Sequence, residues 1–198
     1  MAQEKVRSFI AFDLDEPDIL TKIGELQKEL TQTGARIRVV PLENLHITMS
    51  FLGEIPISTM DKVATELLEV DFTRFKISIK RLGAFPSLRR INVIWIGIDE
   101  GRERLEEIFQ RLRPRLRRVG VTKIGQRFSP HITIARVKSR RNIDQLSKTI
   151  SSLQNVYLGE AMLNTLKLKK SVLTPTGPIY STIIEKRSDQ TEKRVDQY

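Results

Sequence analysis

The chain carries two copies of one short strand, and any fold it adopts must accommodate both. His46-Ile47-Thr48 and His131-Ile132-Thr133 are the same tripeptide, and they contain the only two histidines in the sequence. Each lies in a run of apolar and β-branched residues, 45–52 and 128–137, that reads as a buried strand. Side chains alternate across a strand. His46 and Thr48 therefore share one face while Ile47 and Met49 point to the core, and His131 and Thr133 stand in the same relation to Ile132 and Ile134. Each strand presents an imidazole and a hydroxyl with Cα atoms roughly 6.5–7 Å apart, two residues of strand rise. Two matched half-sites imply a cleft between two related lobes.

The remaining elements supply those lobes. Residues 6–14 read as a strand, with Asp15 and Pro17 opening a helix that places Ile19, Leu20, Ile23, Leu26 and Leu30 at helical spacing before Gly34. A short extended piece, 37–40, precedes the first histidine strand, which should end at Gly53. Ser58 with Asp61 resembles a capping box for a second helix through Met60, Val63 and Leu67. Residues 75–82 alternate as a half-exposed strand, 83–87 read as a loop, and 91–98, apolar on both faces, read as a central strand. Residues 101–119 have a helical apolar stripe, with seven arginines over much of the rest; Pro114 should kink or split it. After the second histidine strand, Asn142 should cap a helix through Ile143, Leu146, Ile150 and Leu153, and two final strands are expected at about 160–173 and 179–186. This order predicts an α+β fold of two pseudo-symmetric lobes, each a mainly antiparallel sheet with outer helices, and an active cleft between them. Residues 1–186 form one bilobal domain; the polar segment 187–198 is expected to be a disordered tail.

Charge and composition narrow the chemistry. Lys and Arg number 34 against 24 Asp and Glu, a net charge of +10, which favours a polyanionic partner, nucleic acid being the commonest soluble one. Cysteine is absent, so disulfides, zinc fingers and a thiol nucleophile are excluded. No apolar run could span a bilayer and the first residues lack a signal-peptide core, so a cytoplasmic protein with no membrane partner is expected.

A single histidine on a buried strand is usually satisfied inside a core; two in one repeated context point to a site. As metal ligands they are an incomplete set, since catalytic zinc usually takes three protein ligands. No metal and no cofactor is therefore expected. As an acid–base pair they are complete. One imidazole removes a proton from the attacking oxygen and the other protonates the leaving oxygen across phosphorus, while Thr48 and Thr133 donate to the non-bridging oxygens.

The paired His-X-Thr-X motifs resemble the two-histidine (2H) phosphoesterase superfamily. The similarity extends through Arg7–Ala11, His46–Gly53, Gly83–Pro86, Val93–Gly97 and Phe128–Arg136 to its LigT/ThpR branch. The resemblance implies an RNA 2′,3′-cyclic phosphodiesterase that opens a terminal 2′,3′-cyclic phosphate to a 2′-phosphomonoester. With a 5′-hydroxyl in place of water, the resemblance also implies a reversible 2′-5′ RNA ligase reaction. It implies His46 as base, His131 as acid, and Thr48, Thr133 and Arg136 at the phosphate. Strict alternation puts Arg136 on the face opposite His131, so a bulge would be needed to bring it round. Phe9 and Phe51 are candidates for stacking on a base, with core packing as the alternative; Tyr180 and Ser171 are weaker candidates, and Arg89 and Arg90 could steer RNA. The expected partner is RNA with cyclic phosphate ends, tRNA fragments included, bound by a monomer. Two alternatives stay open: a non-catalytic nucleotide- or RNA-binding module, and a phosphodiesterase of a small cyclic phosphate.

Overall fold

A computed structural model describes residues 4–189 apart from Lys123, Gln126, Arg127 and Thr176. Its strands are β1 (Lys5–Asp13), β2 (Ile37–Val39), β3 (His46–Pro56), β4 (Phe75–Ser87), β5 (Arg90–Ile98), β6 (His131–Val137), β7 (Tyr157–Leu163), β8 (Thr165–Thr174) and β9 (Gly177–Arg187). Its helices are α1 (Pro17–Gln32), α2 (Ile57–Leu68), α3 (Arg102–Arg118) and α4 (Ile143–Ser152). None is long and apolar enough to cross a membrane.

The strands form one antiparallel sheet in the order β7-β4-β5-β6-β3-β1-β8-β9, with β2 alongside β6. The two histidine strands, β3 and β6, lie at its centre, and each is followed outward by three more strands. Without β2 the lobes are four strands each, joined where Ile47 pairs with Ile132. They are not sequence halves: β4 follows α2 into the second lobe, and β8 returns the chain to the first. The outer edges also approach each other, since Asp189 N–H donates to Phe72 O at 2.8 Å and Ser188 N–H to Asn164 O at 2.7 Å.

The core is built by the two periodicities. Helices contribute Ile19, Ile23 and Leu30, Val63 and Leu67, Leu105, Leu112 and Leu116, Leu146 and Ile150. Alternate strand residues meet them, among them Ile10 and Phe12, Ile47, Ile94 and Ile96, Ile132, Leu166 and Leu168. The expected α+β architecture of two related lobes is present.

Several local expectations are corrected. The single strand expected at 160–173 is two, β7 and β8, broken at Asn164 and assigned to opposite lobes. The buried positions change phase there, from Ala161 and Leu163 to Leu166 and Leu168, which one continuous strand could not bury on one face. The loop expected at 83–87 is the end of β4, where Gly83 pairs with Trp95 and Phe85 with Val93. The first histidine strand continues past Gly53 to Pro56. Helix α3 runs unbroken through Pro114, because Pro114 and Gln110 lie on its exposed side, where water can satisfy the orphaned carbonyl. Helix α2 begins at Ile57 with Pro56 at its N-cap, so Ser58 lies inside the helix and is not its N-cap residue. Asn142 precedes α4 with φ 52°, but its amide donates across the fold to Thr33 O at 3.3 Å. The tail begins later than expected: β9 includes Arg187, and residues 190–198 lie outside the described residues.

Candidate active site

The register of β3 against β6 assembles the half-sites. Ile47 is paired with Ile132 in an antiparallel ladder. One step along that register in either direction sets His46 across from Thr133 and Thr48 across from His131, all four on the face away from the core. The two histidines are then diagonal neighbours, with backbones about 7–8 Å apart. The ladder thus presents two imidazoles and two hydroxyls on one face.

Each ring is oriented in the same way. Nδ1 of His46 lies 2.7 Å from Asn44 O, and Nδ1 of His131 lies 2.7 Å from Ser129 O. A carbonyl only accepts, so Nδ1 carries the hydrogen in both rings. That leaves Nε2 of each neutral ring as the nitrogen without a hydrogen. Burial pushes both imidazoles below the ordinary value of 6.5, since the cation loses its hydration. The Asn44 and Ser129 carbonyls oppose that shift.

The surroundings of the two rings differ. His46 pairs in register with Asp13, and His131 with Gly97. Lys169, 6% exposed, binds both oxygens of Asp13 at 2.6 and 2.8 Å. Lys167 reaches the same carboxylate at 3.1 Å. Lys169 disfavours a proton on His46 and Asp13 favours one. On the other side His131 lies edge-on to Phe85 at 5.0 Å and near Trp95 at 6.4 Å, with Arg136 disfavouring its protonation. Both rings have aromatic neighbours, and His46 has an ion pair behind it as well.

A bulge in each motif decides where the sixth residue points. Thr48 pairs with Ala11 and Ser50 with Ile10, leaving Met49 unpaired. Thr133 pairs with Trp95 and Ala135 with Ile94, leaving Ile134 unpaired. The extra residue reverses the alternation beyond it. Phe51 therefore pairs with Phe9 and Arg136 with Val93, on the same face as the histidines. The placement of Arg136 opposite His131 by strict alternation is corrected by this bulge. Arg38 of β2 pairs with Arg136 and shares that face, its guanidinium donating to Pro175 O at 3.0 Å.

The two phenylalanines part company. Phe9 is 3% exposed, wedged between His46 (4.9 Å between ring centroids) and Tyr180 (4.9 Å). It is packing for the His46 ring, with no open face for a base. Phe51 is 61% exposed and available. Tyr180 stands edge-on to His46 at 5.5 Å. Sequence reasoning missed Asp13, Lys169 and Arg38. A signal existed for the lysines: Lys167 and Lys169 alternate with buried Leu166 and Leu168, putting charge on the cleft face of an inner strand. Among the described residues, no three or more His, Cys, Asp or Glu side chains are grouped to hold a metal ion.

Comparison with known proteins agrees with this internal duplication. The family LigT like Phosphoesterase matches the chain twice, over residues 14–95 and 96–180, one histidine motif in each. The RNA 2′,3′-cyclic phosphodiesterase of Methanocaldococcus jannaschii is 37% identical over 180 residues, 91% of this chain and 99% of that protein. The protein of the same name from Aeropyrum pernix is 34% identical over 164 residues, 83% of this chain and 93% of that one. Among solved structures, Escherichia coli LigT in apo form matches with a TM-score of 0.75 at 22% identity, covering 94% of this chain and 99% of the other. The same protein complexed with 3′-AMP matches at 0.73 and 21% identity, with 94% and 99% covered. On the paired motifs, the shared fold and relatives matched nearly end to end, the chain belongs to the LigT-like phosphoesterase family.

Proposed function

We propose that the protein hydrolyses the 2′,3′-cyclic phosphate at an RNA 3′ end to a 2′-phosphomonoester, with His46 and His131 as its acid–base pair. The observation that carries this reading is the diagonal placement of two imidazoles whose Nε2 atoms are both free for proton exchange. His46 takes a proton from water as the water oxygen bonds to phosphorus. The P–O3′ bond breaks, and His131 gives its proton to the departing 3′ oxygen. Thr48 and Thr133 donate to the non-bridging oxygens, and Arg136 offsets their developing charge. Lys169 behind His46 favours the neutral form that a base requires. Phe51 offers its open ring to a base of the substrate. A 5′-hydroxyl in place of water yields a 2′-5′ linkage by the same proton transfers. No metal or cofactor enters this scheme, and the protein acts as a cytoplasmic monomer on RNA, tRNA fragments included.

The test offers a short RNA with a 2′,3′-cyclic end beside a mononucleoside cyclic phosphate, products being identified by phosphorus NMR. His46→Ala and His131→Ala should each lower kcat by about 10²–10⁴-fold, the usual worth of a general acid or base. EDTA should leave the rate unchanged. Unimpaired turnover in either variant refutes the acid–base roles of the two histidines, and a 3′-phosphate product refutes the choice of bond.

A further inference from the structure

Beyond Arg136, strand β6 leads into a second groove. It is a cavity of about 520 Å³ bounded by the β4–β5 turn, the end of β6 and the start of α4. Ile91, Val137 and Ile143 form its apolar floor, with Arg89, Arg90, Lys138 and Arg140 around the rim. All four cations are exposed, and none lies within ion-pair distance of a carboxylate among the described residues. Some surface cations elsewhere are matched: Arg115 and Arg118 share Glu66, Arg104 pairs with Glu107, and Lys76 with Glu160. A cavity of about 960 Å³ beside the β7–β8 junction is likewise balanced, Arg74, Lys167 and Arg187 facing Asp13, Asp15, Glu185 and Asp189. The groove beyond β6 differs from that cavity in being lined by cations with no carboxylate among them.

We infer that this groove is a subsite for the sugar–phosphate backbone of the RNA strand whose 3′ end occupies the histidine cleft. The inference rests on the function proposed above and extends it from the terminal nucleotide to the body of the substrate. Unpaired cations suit a polyanion, and the apolar floor suits a ribose or base face between phosphates. The location selects the RNA itself over an acidic protein, because a strand held by its end in the cleft must leave it, and β6 runs directly from His131 through Thr133 and Arg136 to Lys138. The pseudo-equivalent path along β3 beyond Phe51 has no such set: it meets Gly53 and Glu54. The lobes are alike, but only the second provides a basic exit. His131 to Lys138 spans roughly 23 Å at strand rise. Phosphates of a stacked strand are spaced by about 3.4 Å, so substrates of about seven nucleotides should reach the groove.

The experiment compares a mononucleoside 2′,3′-cyclic phosphate with a ten-nucleotide RNA bearing the same end, for wild type and for the double variant Arg89→Glu/Lys138→Glu. Both side chains are exposed, and an unchanged Tm confirms the variant's fold. For the RNA, kcat/KM should fall at least tenfold at low salt, carried by KM, while the mononucleotide is turned over as before. The slope of log affinity against log salt for the 2′-phosphate-ended ten-mer, read by fluorescence anisotropy, should shrink by about 0.7 for each phosphate no longer neutralised. Equal loss on both substrates, or no loss on the RNA with an unchanged salt slope, overturns the groove assignment. Should wild type turn over neither substrate while the variant still loses RNA binding and salt slope, the groove stands and the catalytic reading falls.

Discussion

Replacing Gly83 by alanine tests how the His131 side of the cleft is held. Gly83 faces Trp95 across the β4–β5 ladder, and the indole lies over the glycine. A Cβ on residue 83 would sit 2.5 Å from Cη2 and 2.8 Å from Cε2 of Trp95, and nearer still to Cζ2. Carbon atoms in contact prefer about 3.5–4.0 Å, so the ring must retreat by roughly 1 Å. It has little room, because its centroid is 5.0 Å from Phe85 and 6.4 Å from His131, and Phe85 is itself 5.0 Å from His131. Overpacking of this kind costs about 1–3 kcal/mol, a fall in Tm of roughly 2–12 °C for a chain of this size. A catalytic group displaced by about 1 Å can lose up to ~10²-fold in rate, so kcat should drop by roughly 10–100-fold. Trp95 is the only tryptophan, and its fluorescence reports the displaced ring directly. A double-mutant cycle isolates the contact: in a Trp95→Leu background, read by circular dichroism, Gly83→Ala should cost almost nothing, a coupling of about 1–3 kcal/mol. Additive losses, or an alanine variant with wild-type Tm and kinetics, would refute the account of the aromatic wall.

Further outcomes are expected. Because burial holds both imidazoles below 6.5 in the folded chain, the unfolded chain binds more protons between that lowered value and 6.5. Stability should be full above about pH 6.5, decline as pH falls through this window and then level off; urea unfolding of His46→Gln/His131→Gln should show a flatter profile, and an unchanged slope would contradict the shift. The acid limb of the kcat/KM profile should for the same reason lie below 6.5. Lys169→Met leaves Asp13 beside His46 without its nearer cation, so the His46 titration followed by NMR should move upward; a downward move would overturn the electrostatic role of Lys169. Phe51→Ala, at an exposed position, should leave Tm nearly unchanged yet weaken RNA binding by about 1–3 kcal/mol, the usual worth of stacking a base, and an unaffected affinity would remove Phe51 from the site.

Much of this site is legible residue by residue. His46 with Thr48 and His131 with Thr133 follow from strand alternation, and the core positions on the helices follow from their period. Arg136 illustrates where such reading stops. The family resemblance marks it as a candidate, yet strict alternation sends it to the wrong face, because a bulge at Ile134 is set by pairing with β5 and not by the local pattern. The same holds for Phe51 and the bulge at Met49. Local capping preference locates the start of α4 at Asn142, although that side chain donates to Thr33 O instead of capping, and it misplaces the start of α2, which begins at Ile57.

The sequence by itself determined that two imidazole–hydroxyl half-sites exist, because periods of 2 and 3.6 residues are local properties that each segment carries alone. Only the tertiary structure decided that the half-sites lie side by side, through a register contact between Ile47 and Ile132, and that they differ. Asp13 and Lys169 stand far apart in the chain and meet beside His46 because β1 and β8 are neighbours in the sheet. His131 instead meets Phe85 and Trp95 from β4 and β5. Pairing between distant strands depends on the whole sheet closing in one register, and no stretch of sequence records that on its own.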